Sequence, residues 1–247
     1  MSPIAATHSL YKFHDQGEDK VPILKDVDLS IDEGEFVCVM GPSGSGKSTL
    51  LHLLSGLDEP SAGTVSLAGK DLSSLSEKER TLLRREQIGY VFQFFNLLPN
   101  LTVAENVSLP LSIAGKQPES ASKQLADLAE RLGITSRLAA FPHQLSGGEM
   151  QRTSIARALI GGQPLLLCDE PTGNLSQKAG AEVMELLRRC ADEDGRAVML
   201  VTHNPRDAAF ADRVHFLVDG ELVPDPVLRG PGIETDDVHR ALTRLHI

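Results

Sequence analysis

No run of lysine or arginine occurs in these 247 residues, and acidic residues exceed basic ones enough to give a formal net charge of −10. Broad attraction to nucleic acid or anionic lipid is therefore not written into the whole chain, and no nucleic-acid partner is expected. Also missing is any stretch of roughly 18 to 20 consecutive apolar residues, the length a membrane-spanning helix requires. The opening MSPIAATHSL has neither the basic start nor the apolar core of a secretory signal. Cysteine is scarce and odd in number, and Cys38 and Cys168 sit inside apolar runs where a thiol acts as a small hydrophobe. A reducing, cytoplasmic setting is expected. Internal repeats and low-complexity tracts are lacking as well.

What is present suits one large α/β domain or two small ones, either of which buries enough apolar surface to fold without disulfides. Runs at 27–31, 36–40 and 64–67 predict strands, separated by turns such as Asp32-Glu33-Gly34. From residue 76 to about 145 the pattern turns helical: Leu125, Leu128, Ala129 and Leu132 recur at spacings of three and four, and Gly133 ends that helix. Two short apolar runs, 165–168 and 197–202, flank a helical pattern through Ala179, Val183, Leu186, Leu187 and Cys190. Buried parallel strands joined by a crossover helix are the expected result. The core is thus divided in sequence by the helical stretch from residue 76 to about 145. Past residue 222, PDPVLRGPG reads as a linker, and Thr235 is the expected cap of a short helix with Val238, Leu242 and Leu245 on one face.

The first chemistry-bearing motif is GPSGSGKST: Gly41, Pro42, Ser43, Gly44, Ser45, Gly46, Lys47, Ser48 and Thr49. It follows the strand FVCVM and opens a helix through Leu50, Leu51, Leu53 and Leu54, the context that makes a phosphate-binding loop of it. Its glycines let backbone N–H groups converge on phosphates at a helix start. Lys47 is expected on the β- and γ-phosphates and Ser48 on Mg²⁺. No NKxD guanine-reading motif occurs, which favours ATP over GTP.

Next, LLLCDEPT delivers Asp169 and Glu170 to the end of a buried strand, where α/β sheets place ligands. Asp169 suits the Mg²⁺ shell. Glu170, one residue on, is placed to orient or polarise an attacking water, since phosphoryl transfer depends on positioning and charge stabilisation. Between these motifs, LSGGEMQR (145–152) sets Ser146, Gly147, Gly148 and Glu149 at another helix start able to bind an anion.

A phosphate loop, LSGGE and the Asp-Glu strand end, in that order, resemble the ATP-binding cassette (ABC) ATPases. The resemblance implies a P-loop NTPase fold with a RecA-like parallel-sheet core, an antiparallel β subdomain and an α-helical insert, spanning residues 1–222 and leaving 223–247 as linker and terminal helix. It implies that Gln93, in IGYVFQ, touches Mg²⁺ or water, and that His203, in VMLVTH, contacts the γ-phosphate. It implies a homodimer in which each ATP lies between one P-loop and the partner's signature at 146–149. Two features depart from the family: PTGNLS puts Ser176 where an aspartate usually helps couple the two sites, and the adenine-stacking ring is His14, Phe13 or Tyr11.

FQFFNLLPNLTVAENVSLPL (92–111) and LLHLLSGLDEPSAGTV (50–65) resemble the lipoprotein-releasing, macrolide-exporting and FtsE-like group of that family. The resemblance implies a separately encoded permease and a location on the cytoplasmic face of the cell membrane. The permease's coupling helix is expected near residues 93–98, where Phe94, Phe95, Leu97 and Leu98 crowd together. A soluble assembly ATPase, as in iron–sulfur assembly, is the alternative from another class. DNA-repair types would insert a coiled coil or zinc motif between P-loop and signature, and neither occurs here.

Overall fold

The computed structural model describes residues 3–16, 19–115, 118–230 and 232–247. The chain begins with strands β1 (Ala5–Gln16), β2 (Asp19–Ile31) and β3 (Phe36–Met40), then helix α1 (Lys47–Leu54), β4 (Ala62–Leu67) and β5 (Lys70–Asp71). Helix α2 (Glu77–Gln87), strand β6 (Ile88–Val91) and helices α3 (Val103–Ile113), α4 (Pro118–Arg131) and α5 (Gly147–Leu159) make up the middle. There follow β7 (Leu165–Asp169), α6 (Gln177–Asp192), β8 (Ala197–Thr202), α7 (Pro205–Ala208), β9 (Arg213–Val218), β10 (Glu221–Leu222), β11 (Leu228–Arg229) and α8 (Thr235–Leu245).

Among the described residues, two sheets form. One is antiparallel, in the order β2-β1-β4-β5; the other runs β10-β9-β3-β8-β7-β6, with β11 added on β9. The central pairs β3–β8, β3–β9, β7–β8 and β6–β7 are all parallel. Their continuous apolar runs follow from burial on both faces, and alternate residues divide cleanly between two cores. Val37, Val39, Leu165, Leu167, Met199 and Val201 face α1 and the antiparallel sheet. Cys38, Met40, Leu166, Cys168, Val198 and Leu200 face the helical layer of α3 to α6 and α8. Helix α1 buries Leu50, Leu51, Leu53 and Leu54 completely, and each such side chain stabilises the fold by about 1.5–3 kcal/mol. This α/β architecture is the expected fold class.

Three local readings need correction. The stretch from 76 to 145 is not helical throughout: Ile88–Val91 leaves α2 to pair with β7 as the edge of the parallel sheet. Four apolar residues after a well-capped helix carry too short a period to reveal a strand. The turn-rich tail gives β11 to the sheet, through Leu228 opposite Val214 and Arg229 opposite Arg213. Helix α8 begins at Thr235 itself, so Glu234 is the cap residue, its N–H donating to Asp237 at 2.9 Å. That helix packs on its own domain, burying Val238 and Ala241.

Helix α4 ends as its pattern predicts. Gly133 takes φ +65°, and its N–H donates to the Glu130 carbonyl at 3.1 Å.

Candidate nucleotide site

Strands β3, β8 and β7 are neighbours running the same way, so the loops after Met40, Thr202 and Asp169 emerge along one sheet edge. The loop after β3 has little freedom. A Cβ on Gly41 would lie 2.1 Å from the Leu217 carbonyl, and Gly44 and Gly46 take φ +82° and +103°. Gly46 caps α1 without a side-chain oxygen, which leaves the helix-start amides to whatever acceptor sits before them. Ser45 is 5 % exposed and its Oγ has no hydrogen-bond partner among the described residues. A buried, unpaired hydroxyl beside glycine-lined backbone fits a cradle for phosphate oxygens.

Lys47, the first residue of α1, donates to the carbonyls of Gly41 and Pro42, each at 2.9 Å. Burial pulls its ammonium below the usual range, opposed by the charges of Glu170 and Asp169. Ser48 donates its hydroxyl to Asp169 at 3.0 Å. Burial raises the Asp169 carboxyl, while the Ser48 bond works the other way. A hydroxyl and a carboxylate oxygen in contact suit Mg²⁺, a hard cation that takes one or two carboxylates plus phosphate and water oxygens.

Glu170 sits at φ +45°, a conformation rare outside glycine, and its N–H donates to the Val201 carbonyl at 3.0 Å. Its carboxylate meets Nδ1 of His203 at 2.8–2.9 Å, and the Thr202 hydroxyl lies 3.4 Å from Oε2. The His203 side chain is 64 % exposed and Glu170 only 13 %. A carboxylate sheltered from bulk water beside an accessible imidazole can hold a water and sense a phosphate at once.

The Gln93 side chain reaches the turn after Glu170: a Cβ on Gly173 would stand 3.1 Å from Gln93 Nε2. The Gln93 carbonyl accepts from Asn174 Nδ2 at 2.9 Å, which joins the two loops. Phe95 and Asn96, at φ +60° and +49°, present carbonyls that accept from Arg157 at 2.9 and 2.6 Å. Sequence reasoning passed over Asn174 and Arg157. Their partners lie about 60 to 80 residues away in the chain, and no spacing rule reaches that far.

Ser146 caps α5. Its N–H and hydroxyl donate to Glu149 at 2.8 and 2.7 Å, and the Glu149 N–H lies 3.4 Å from Ser146 Oγ. Arg137 adds an ion pair at 2.6 Å, and these bonds hold the Glu149 carboxyl down at about 2, led by the Ser146 backbone donor. Gly147 lies beside Leu175 and the Phe95 ring, and Gly148 beside Ala179. Among the described residues, no hydrogen bond or ion pair joins 145–149 to 41–49. Ser176 occupies the cap of α6, with the Ala179 N–H 3.4 Å from its hydroxyl. On β1, Tyr11 and Phe13 stack with centroids 6.3 Å apart, while exposed His14 pairs with Val21.

Residues 24–173 match the ABC transporter family. The lipoprotein-releasing system ATP-binding protein LolD of Legionella pneumophila is 44 % identical over 89 % of this chain and 96 % of its own length. The macrolide export ATP-binding/permease protein MacB of Marinobacter nauticus is also 44 % identical, over 98 % of this chain, which spans 38 % of that protein. Among solved structures, a dimeric ATP-binding cassette in a post-hydrolysis state with ADP and Pi superposes with a TM-score of 0.83, at 40 % identity, over 91 % of this chain and 98 % of that one. A P-loop and a Glu170–His203 pair on one sheet edge, with LSGGE capping a separate helix, agree with these matches, and the chain belongs to the ABC transporter family as one of its ATPases.

Proposed function

We propose that two copies of the chain close around two ATP molecules and drive a separately encoded permease, on the cytoplasmic face of the cell membrane. The observation that carries this reading is that the helix starts at Gly46 on α1 and Ser146 on α5 share no hydrogen bond or ion pair within one subunit, among the described residues. Each would complete the other's site only across an interface. The dimeric state of the similar cassette supports the pairing.

In this reading the amides of residues 41–49 and Lys47 hold the phosphates, Ser48, Asp169 and Gln93 hold Mg²⁺, and Glu170 positions water. His203 contacts the γ-phosphate. Bound Mg²⁺ would neutralise charge on the β- and γ-phosphates. Across the interface, Ser146, Gly147 and Gly148 meet the partner's ATP, while Glu149, tied to Ser146 and Arg137, fixes their geometry. Adenine stacks on one ring of the β1 group, His14, Phe13 or Tyr11, and alanine variants of the three rank them by nucleotide affinity. Loss of the γ-phosphate contacts after hydrolysis opens the dimer.

Residues 1–222 carry the cassette's motifs, with the insert at about 94–160, and the tail at 223–247 adds β11 and the terminal helix to the same core. Phe94 and Leu98, 69 % and 43 % exposed, are the docking surface for the permease's coupling helix. The names of the curated relatives favour a transporter over a soluble assembly factor.

The test is Glu170→Gln. Turnover should fall by at least about a hundredfold, the scale of a lost general-base contribution, with ATP binding kept and a stable ATP-bound dimer seen by size-exclusion chromatography. Wild-type turnover removes Glu170 from its role, and a monomer under saturating Mg-ATP removes the sandwich.

A further inference from the structure

Behind the Glu170–His203 contact lies a second polar pair to which the proposed roles give no task. Thr172, two residues after Glu170, donates its hydroxyl to Oδ2 of Asp207, four residues after His203. Both are enclosed, at 9 % and 5 % exposure. Asp207 lies in α7, whose cap Asn204 accepts from the Arg206 N–H at 3.1 Å, and the Asp207 N–H donates to the Asn204 carbonyl at 3.1 Å. On the opposite side Thr172 packs on α6, where a Cβ on Gly180 would stand 3.4 Å from the Thr172 Cβ. Burial raises the Asp207 carboxyl, opposed by its bonds to Thr172 and Asn204.

A carboxyl placed there is expensive to desolvate, and an apolar pair of similar volume would stabilise the fold as well or better. What an apolar pair would lack is direction. Glu170, at φ +45°, needs its surroundings to hold it in that conformation. Upstream, its N–H is fixed to Val201. Downstream, the turn closes through Gly173 N–H to the Glu170 carbonyl at 3.1 Å and Leu175 N–H to the Thr172 carbonyl at 2.9 Å. The Thr172 hydroxyl adds a second side-chain link between this turn and the segment bearing His203, beside the contacts of the Glu170 carboxylate with His203 and Thr202.

We propose that Thr172 and Asp207 are positioning residues for ATP hydrolysis: their buried hydrogen bond ties the turn carrying Glu170 to the helix following His203, and so sets the carboxylate–imidazole separation. The inference rests on the roles given above to Glu170 and His203. Thr172 and Asp207 are both buried and would act through Glu170 and His203.

The experiment measures steady-state ATP hydrolysis by the full chain. Thr172→Val removes the hydroxyl at nearly constant volume and should lower kcat about tenfold with KM for ATP unchanged, the pattern of a defect expressed only in the transition state. Asp207→Asn keeps an acceptor for Thr172 and should stay within about twofold of wild type. Added to His203→Ala, Thr172→Val should cost nothing further, because the geometry it maintains is already gone. Thr172→Ser guards against a folding artefact: it keeps the hydroxyl and loses the methyl, so kcat should hold even where Tm falls. Wild-type kcat in Thr172→Val, full additivity with His203→Ala, or equal losses in Thr172→Ser and Thr172→Val would each overturn the proposal. Glu170→Gln, assayed alongside, separates the two layers. If it hydrolyses ATP normally, the underlying site reading falls and this inference with it; if it is inactive while Thr172→Val is normal, only the positioning role falls.

Discussion

The starts of α1 and α5 use the same helix-end physics in opposite ways. At α1 the cap is Gly46, with no side chain to satisfy the first amides, and Lys47 stands at the threshold with its ammonium on the loop's own carbonyls. At α5 the cap is a closed box: Ser146 and Glu149 bond reciprocally and Arg137 braces the carboxylate. The same box, serine or threonine with glutamate three residues on, caps α2 at Ser76 and α3 at Thr102. The α5 start is therefore stable by itself, whereas the α1 start has unspent hydrogen-bonding capacity. In the proposed sandwich, one end seizes phosphate and the other is a firm surface presented to it.

The sharpest way to break this contrast is Lys47→Ala. Removing a charged donor from the phosphates should weaken ATP binding by roughly 10- to 150-fold, taking about 1.5–3 kcal/mol for a hydrogen bond to a charged group. Equilibrium binding of a fluorescent ATP analogue reads it, and unchanged affinity would undo the assignment of Lys47. Ser146→Ala should have a smaller effect on the isolated subunit, costing about 1 kcal/mol of stability through the lost cap and leaving monomer affinity for ATP untouched. Its main effect should be on ATP-driven dimerisation in the Glu170→Gln background, read by sedimentation; full dimerisation there would show that the α5 start does not face nucleotide.

The smallest effect concerns acid. Glu149 is held at about 2, below the usual carboxylate value near 4.3. A depressed folded-state value means that its contribution is complete above the unfolded value and is lost as pH falls from there through about 2. Glu149→Gln should leave a shallower decline in urea midpoint between about pH 5 and 3. An unaltered slope would mean that the box contributes nothing to acid stability.

How much of this was legible in the sequence depends on the reach of each contact. The P-loop, the Asp169-Glu170 strand end and the α5 cap are local patterns, and each falls where its spacing predicts. The roles proposed for Gln93 and His203 come from family resemblance alone, because a glutamine after β6 or a histidine after β8 has no chemical meaning until the sheet order brings β6, β7 and β8 side by side. Thr172–Asp207 and Arg157 were not legible, since nothing in PTGN or IARAL indicates a partner 35 or 61 residues distant. Strand β6 was hidden for a related reason: its four residues are specified by pairing with Leu165 to Cys168, not by any period of their own.

Gly89 on that edge strand leaves room for the Ala158 carbonyl, to which a Cβ would come within 2.2 Å. The far end of α5 therefore lies directly against the sheet, about 18 Å along the axis from Ser146 at 1.5 Å per residue. Between the two, Gln151, Thr153, Ser154, Ile155 and Ala156 are buried as well, so the helix is held along its length. Any side chain at position 89 would push that rigid helix outward and carry the Ser146 cap with it.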